Sequence, residues 1–329
     1  MDLEDLRLEI RSLKTKVQKL SREVQGLRTL SLEDPSPVER LLKMRGLRIF
    51  RKNPTDRLFF PSDLPPFHRA HFYEMLKKYS FRLVLRDMVK HQDRFRVEDL
   101  THYCSAKVAR EYCDLLCEMG VIIKDERERY RTRVSPLYSF GPTLEWFIAE
   151  MFKREFASPA LYGVSVKETV SGGDYDVIAA WNNRLVYMEV KSSPPKGIEI
   201  SEISTFFSRL DDLLPDVAIL FNDTQLRMKD KLVVMFEEEL GRRYGRASGS
   251  HYPVERLVEE LFHVRHRIFI INSKKDVVGN FHLCLKDYLR YGTEQPYYSP
   301  QSRRGRSEGE FFVRSGDTDR TKIIRPSGE

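Results

Sequence analysis

The chain has no uninterrupted apolar run near the roughly 18 residues that crossing a bilayer requires, and it opens acidic and heptad-patterned where a secretory leader would be basic and then apolar. These features exclude membrane and secretory readings, and no membrane partner is expected. Cysteine is scarce: Cys104, Cys113, Cys117 and Cys284 are the four in 329 residues, and none forms a CxxC pair. So few thiols make no disulfide framework, and a reducing cytoplasmic location is expected. What the chain has in quantity is charge, 32% of residues against about 25% in an average soluble protein. Its length, with 41% hydrophobic residues, suits two domains of roughly 100 to 200 residues plus accessory segments.

The net charge of +7 is compatible with a polyanionic partner without requiring one. Residues 39–57 hold seven basic side chains (Arg40, Lys43, Arg45, Arg48, Arg51, Lys52, Arg57) against Glu39 and Asp56. Such a stretch suits a phosphate backbone, and it equally suits a solvated connector. Upstream, Leu3, Leu6, Ile10, Leu13, Val17, Leu20, Val24 and Leu27 alternate at three- and four-residue spacing. Leu3 and β-branched residues at one core position, with leucine at the other, favour a parallel two-stranded coiled coil, so a homodimer through residues 3–27 is expected. Ser31 interrupts the seam and Asp34-Pro35-Ser36-Pro37 breaks the helix.

Between 66 and 140 the pattern predicts a helix over Phe72–His91, a short one over Val97–Tyr103 and a third capped by Ser105 and closed by Gly120. Val121-Ile122-Ile123, a charged turn at Lys124–Arg129 and a return strand at Tyr130–Val134 complete it. That order resembles a winged helix-turn-helix. The resemblance puts Lys107 and Arg110 near the start of a DNA-reading helix and Arg127, Arg129, Arg131 and Arg133 on the wing, although winged helices also serve as pure protein contacts. Cys113 and Cys117 lie one helical turn apart, with His102 and Cys104 upstream, which raises a metal site; small buried thiols are the commoner explanation.

The chemistry-bearing constellation follows Gly141. A helix over Pro142–Phe156 is succeeded by a strand at Tyr162–Thr169, the Gly172-Gly173 turn, a strand bearing Asp174-Tyr175-Asp176, the Asn182-Asn183 turn and a strand ending Glu189-Val190-Lys191. Carboxylates are depleted in strands and cost several kcal/mol when buried unpaired, so acids in these apolar runs imply a compensating ion. Glu189 and Lys191 share one strand face, and a hairpin at Asn182-Asn183 brings Asp176 beside them. Two carboxylates gather a hard divalent cation, and a neighbouring ammonium can orient or deprotonate a water.

The residues GGDYDVIAA and RLVYMEVKSS resemble the PD-(D/E)xK nuclease superfamily, the restriction-endonuclease-like fold that includes Mrr-type restriction enzymes and archaeal Holliday-junction resolvases. The resemblance covers about 141–275. It implies an α/β, restriction-endonuclease-like mixed sheet flanked by helices, and a Mg²⁺-dependent endonuclease hydrolysing DNA phosphodiesters, with Mn²⁺ as a substitute. Asp176 and Glu189 would bind the metal, Glu145 of GPTLEWFIAEMF would hold a water or second ion, and Lys191 would orient the attacking water. Helix periodicity adds a check: Glu145 falls inside the edge of the apolar stripe Leu144, Ile148, Met151, Phe152, Phe156, whereas Glu150 projects away and Glu155 lies at the helix end. The competing reading is a catalytically inactive nuclease-like protein that binds DNA or serves assembly.

Asp174 either joins the metal face or is a solvated turn residue, the commoner role. Ser192, Ser193 and Lys196 lie where they could approach phosphates, though Pro194-Pro195 suggests a plain loop, and the HxxH of His263 and His266 reads as surface or structural. The expected division is 1–32 coiled coil, 33–65 basic linker, 66–140 winged helix, 141–292 nuclease-like domain and 293–329 flexible tail. RNA or DNA, target sequence and pathway stay open.

Overall fold

The computed structural model describes residues 9–10, 12–21, 35–245 and 252–293. Residues 1–296 fall in one compact unit; the other, 297–329, lies outside the described residues, as does all but one residue of the expected tail. Of the heptad seam, Ile10, Leu13, Val17 and Leu20 lie on helical backbone and are each about half exposed; its other positions lie outside the described residues.

The stretch expected as a basic linker carries structure. Ser36 and Glu39 form a reciprocal capping box that starts helix α1 (Pro37–Lys43), with proline at the first position, so the residues read as a breaker act as an initiator. Strand β1 (Arg48–Arg51) then pairs antiparallel with β4 (Ala160–Lys167) at one edge of the sheet. Beyond it Asn53 continues the pairing: its N–H donates to the Tyr162 carbonyl at 2.8 Å and its Oδ1 accepts from the Tyr162 N–H at 3.0 Å. Leu58, Phe59, Phe60 and Leu64 are buried in the main core.

The expected helix over Phe72–His91 is two helices, α2 (Pro66–Leu76) and α3 (Tyr79–Lys90). No proline or glycine divides them. Arg82, buried on α3, turns back and donates to the carbonyls of Leu76 and Lys77, supplying the partners that the end of α2 lacks. A 3₁₀ turn (Val97–Leu100), helix α4 (Ala106–Glu118) and a hairpin of β2 (Ile122–Lys124) and β3 (Tyr130–Thr132) follow. Ser105 caps α4 by accepting from the Val108 N–H, and Gly120 just past its end has φ +70°.

Helix α5 (Gly141–Glu155) precedes β4, β5 (Asp174–Trp181) and β6 (Arg184–Lys191), which form an antiparallel meander. Helix α6 (Ile200–Leu213) crosses over to β7 (Val217–Asn222), parallel to β6. Then come α7 (Val234–Tyr244), β8 (Glu255–Val258), β9 (Leu261–Val264), β10 (Ile268–Asn272) and α8 (Val277–Asp287). Eight strands make one mixed sheet in the order β1-β4-β5-β6-β7-β10-β9-β8. Val186 and Met188 face the core that α5 and α8 fill with Leu144, Ile148, Phe152 and Phe281. Tyr187, on the opposite face by strand alternation, stacks on Phe206 of α6, which packs with Phe236 of α7.

The helical region and the sheet are joined by a buried ion cluster. Asp223, just after β7 and fully buried, accepts from Arg82 Nε and Nη2 at 3.0 and 2.8 Å, and also from Arg86 and the Ser273 hydroxyl. Burial alone would raise its carboxyl, but Arg82, Arg86 and Ser273 hold it below the usual range.

Candidate active site

The antiparallel ladder between β5 and β6 runs from Trp181 opposite Arg184 to Val177 opposite Met188. One residue further, the Asp176 carboxylate itself accepts the Val190 N–H at 2.7 Å, replacing a ladder hydrogen bond with a side chain. The same register step sets Asp176 beside Glu189. Lys191, two residues on, bridges Glu189 Oε1 at 3.0 Å and Glu202 Oε1 of α6 at 2.8 Å. Glu145 reaches the cluster from α5. Its Oε2 lies 3.8 Å from where a Cβ on Gly163 of β4 would stand, and that Cβ would also meet Pro54 Cδ at 2.7 Å. Gly163 has φ +53°, so glycine is required there twice over, by backbone and by space.

All four residues expected from the sequence therefore come to one region of the sheet. One member had no sequence signal: Arg209 of α6. Its Nη1 donates to Glu189 Oε2 at 2.7 Å and to the Tyr187 hydroxyl at 3.3 Å, and it stands 4.0 Å from Asp176 Oδ1. Its Nε is buried without a hydrogen-bond partner among the described residues. Asp174, for which a solvated turn was the commoner role, accepts from the Ser165 hydroxyl and is close enough to act on Glu145. Glu150 pairs with Lys153 and Arg154, and Glu155 with Lys77 and Tyr73, so neither joins the cluster.

The charges divide the carboxylates into two kinds. Burial raises Glu189, but Arg209, Lys191 and the Tyr187 hydroxyl outweigh it and hold the group low, hence ionised. Glu145 is pushed up to about 7, first by burial and then by Glu189 and Asp174. Asp176 is pushed well above the carboxylate range by burial, Glu189 and Glu145. Burial would lower Lys191, yet Glu189 and Glu202 raise it, so it is an ammonium at neutral pH.

Glu145 and Asp176 resist ionisation because they are buried and faced by other carboxylates, which a divalent cation would offset, and the carboxylate donors are all hard oxygens. Both properties fit a Mg²⁺-class ion. Among the described residues, the set whose ligand atoms all lie within 4.8 Å of one another is a different one, so the three carboxylates share the site without closing on a single point. Mg²⁺ retains several waters and does not need every carboxylate in direct contact.

A stability test follows from Glu145. Its carboxyl is raised in the folded state, so between its unfolded value near 4.5 and about 7 the native chain binds more protons than the unfolded chain. Metal-free protein is therefore expected to lose stability as pH rises through that window. Urea midpoints measured across it should fall for wild type and stay flatter for Glu145→Gln.

The expected DNA-contacting residues differ in availability. Arg129 pairs with Asp125 at 2.8 Å, Arg133 with Asp63 at 3.0 Å and Arg110 with Glu128 at 3.9 Å. Lys107, Arg127 and Arg131 are exposed, and their side chains have no ion-pair partner among the described residues. The His102, Cys104, Cys113 and Cys117 group does not gather as metal ligands would. Burial pushes the Cys113 thiol up to about 12, the behaviour of a core thiol.

No family model matches the chain, and no curated protein matches it. Among solved structures, protein VC1899 from Vibrio cholerae is similar at 15% identity and a TM-score of 0.42, covering 78% of this chain and 62% of that one. Can2 from Sulfobacillus thermosulfidooxidans, in complex with cyclic tetra-adenylate, is similar at 12% identity and a TM-score of 0.41, covering 78% and 60%. The chain thus spans less than two thirds of the length of either neighbour.

Proposed function

We propose that the chain is a metal-dependent DNA endonuclease of the PD-(D/E)xK type, built on a restriction-endonuclease-like core. The observation that carries this reading is the meeting of Glu145, Asp176, Glu189 and Lys191 in one buried region, with the carboxyls of Glu145 and Asp176 raised by burial and by their neighbouring carboxylates. Glu145, Asp176 and Glu189 would hold Mg²⁺ or Mn²⁺, which supplies charge neutralisation at the scissile phosphate. Lys191, as an ammonium, can orient a water or a phosphate oxygen through its N–H donors; it cannot accept the water's proton. Arg209 holds Glu189 ionised and in place. The helix–hairpin region is proposed to contact DNA, with Lys107, Arg127 and Arg131 the basic side chains left for phosphate contact.

Arg209 also supports a second reading, because a guanidinium bonded to Glu189 stands near where a metal would act. On that reading the protein is inactive and serves DNA binding or assembly. Purified protein incubated with labelled duplex, branched and single-stranded DNA separates the two. Cleavage with Mg²⁺ or Mn²⁺ that EDTA stops is the expected result; intact substrates under every condition would sink the nuclease reading.

Residues 3–27 are proposed to form a parallel dimer, supported by the exposed Ile10, Leu13, Val17 and Leu20 of the heptad seam. Sedimentation of the full chain is expected to give a dimer, and of a chain lacking residues 1–32 a monomer. An unchanged mass ratio would remove the coil's role.

A further inference from the structure

The pair His263 and His266, expected to be surface or structural, meets a carboxylate, Glu255, eight positions before His263 in the chain. Glu255 on β8 is the direct cross-strand partner of His263 on β9, with Glu255 Oε2 3.9 Å from His263 Nε2. His266 lies in the β9–β10 turn, where Arg265 and His266 both have positive φ, and this folds its ring back onto His263 with centroids 4.1 Å apart. One ligand atom from each of Glu255, His263 and His266 lies within 4.8 Å of the others.

The surroundings suit a cation. His266 Nδ1 is 2.7 Å from Oδ2 of Asp287, a carboxylate largely buried at the end of α8. A histidine held by a carboxylate at one ring nitrogen presents the lone pair of the other, the arrangement that orients imidazole ligands. Glu255 and Asp287 together supply two negative charges. Arg267 donates to the Gly292 carbonyl at 2.9 Å, and Arg265 lies over the Tyr252 ring. His263 is buried, while Glu255 is 55% exposed, which leaves a solvent path.

We propose that Glu255, His263 and His266 form a binding site for a zinc-class divalent metal that clips the β8–β9–β10 edge of the sheet. Two imidazole nitrogens and one carboxylate oxygen select zinc over magnesium, and three protein ligands leave the fourth tetrahedral position for water. In the metal-free form His263 Nδ1 accepts a long hydrogen bond, 3.3 Å, from the His266 N–H. Metal at Nε2 moves the ring proton to Nδ1 and gives up that bond. The site is separated from the Glu189 strand by β7 and β10, about 14 Å at ordinary strand spacing, and does not rest on the nuclease reading.

The test is calorimetric titration of EDTA-stripped, buffer-exchanged full-length protein with ZnCl₂ alone, followed by Co²⁺ substitution. One Zn²⁺ per chain, a higher melting temperature with zinc and the intense visible bands of tetrahedral Co²⁺ are expected. Glu255→Gln, at an exposed position that leaves the fold intact, and His266→Ala should each weaken binding by ~10-fold or more, and Asp287→Asn by about 10- to 100-fold. Asp176→Asn should bind zinc as wild type does. Absence of zinc binding, equal affinity in Glu255→Gln and His266→Ala, or loss of binding in Asp176→Asn would each overturn the proposal.

Discussion

Asp176→Asn is expected to slow the proposed DNA cleavage by about 10²- to 10³-fold while leaving the fold as stable as wild type or more so. The asparagine Oδ1 can still accept the Val190 N–H that Asp176 accepts at 2.7 Å, so the β5–β6 end stays closed. What disappears is a carboxyl disfavoured first by burial and then by Glu189 and Glu145, and removing both burial cost and repulsion stabilises the metal-free chain. The same charge is what a divalent ion would meet. Removing one pre-organised electrostatic partner of a transition state typically lowers kcat by about 10²- to 10³-fold. Cleavage rates and urea midpoints for the same preparations check both halves. An Asp176→Asn protein that cleaves at the wild-type rate would remove Asp176 from the chemistry, and one that fails to fold would contradict the repulsion argument. Such a trade of stability for function belongs to catalytic carboxylates more than to structural ones.

Asp223→Ala is expected to destabilise the chain by about 3–5 kcal/mol, the usual result of removing one partner from a buried ion pair. It would leave Arg82, which is 1% exposed, with an uncompensated charge in the core. Converting Arg82 as well, to leucine, should restore part of the loss, because the stranded charge goes with it. The pH dependence has a definite sign. Asp223 is held below its ordinary value, so its contribution is complete above the unfolded carboxylate range near 3.9 and is lost as pH falls through the lower folded value. Denaturant midpoints for the single and double variants at neutral and acid pH measure this. A double variant no more stable than Asp223→Ala would contradict the uncompensated-charge account.

The parts of the molecule that could be read from sequence are those set by local chemistry. The Asn182-Asn183 turn has positive φ at both residues, and the strands beside it follow the alternation of DYDVIAAW and RLVYMEVK. Helical period distinguished Glu145 from Glu150, and its place at the helix end set Glu155 apart. What escaped reading depends on partners far along the chain. The division between α2 and α3 comes from Arg82, whose anchor Asp223 lies 141 positions away. Arg209 sits in SRLDDLL, an ordinary charged helix pattern, and only the packing of α6 on β6 turns it onto Glu189. Strand β1 escaped because its four residues, RIFR, carry two of the arginines that made the region look like a solvated connector. The β8–β9 hairpin was likewise unread, and with it the meeting of Glu255 and His263.

The two strands that end the sheet, β1 and β8, are each four residues long and read RIFR and ERLV. An outermost strand offers unpaired amides and carbonyls to any passing chain, and long flat ones template aggregation. Short ends studded with guanidinium groups discourage that growth. If residues 3–27 pair two copies as proposed, these ends would also keep the raised local concentration from joining sheet to sheet.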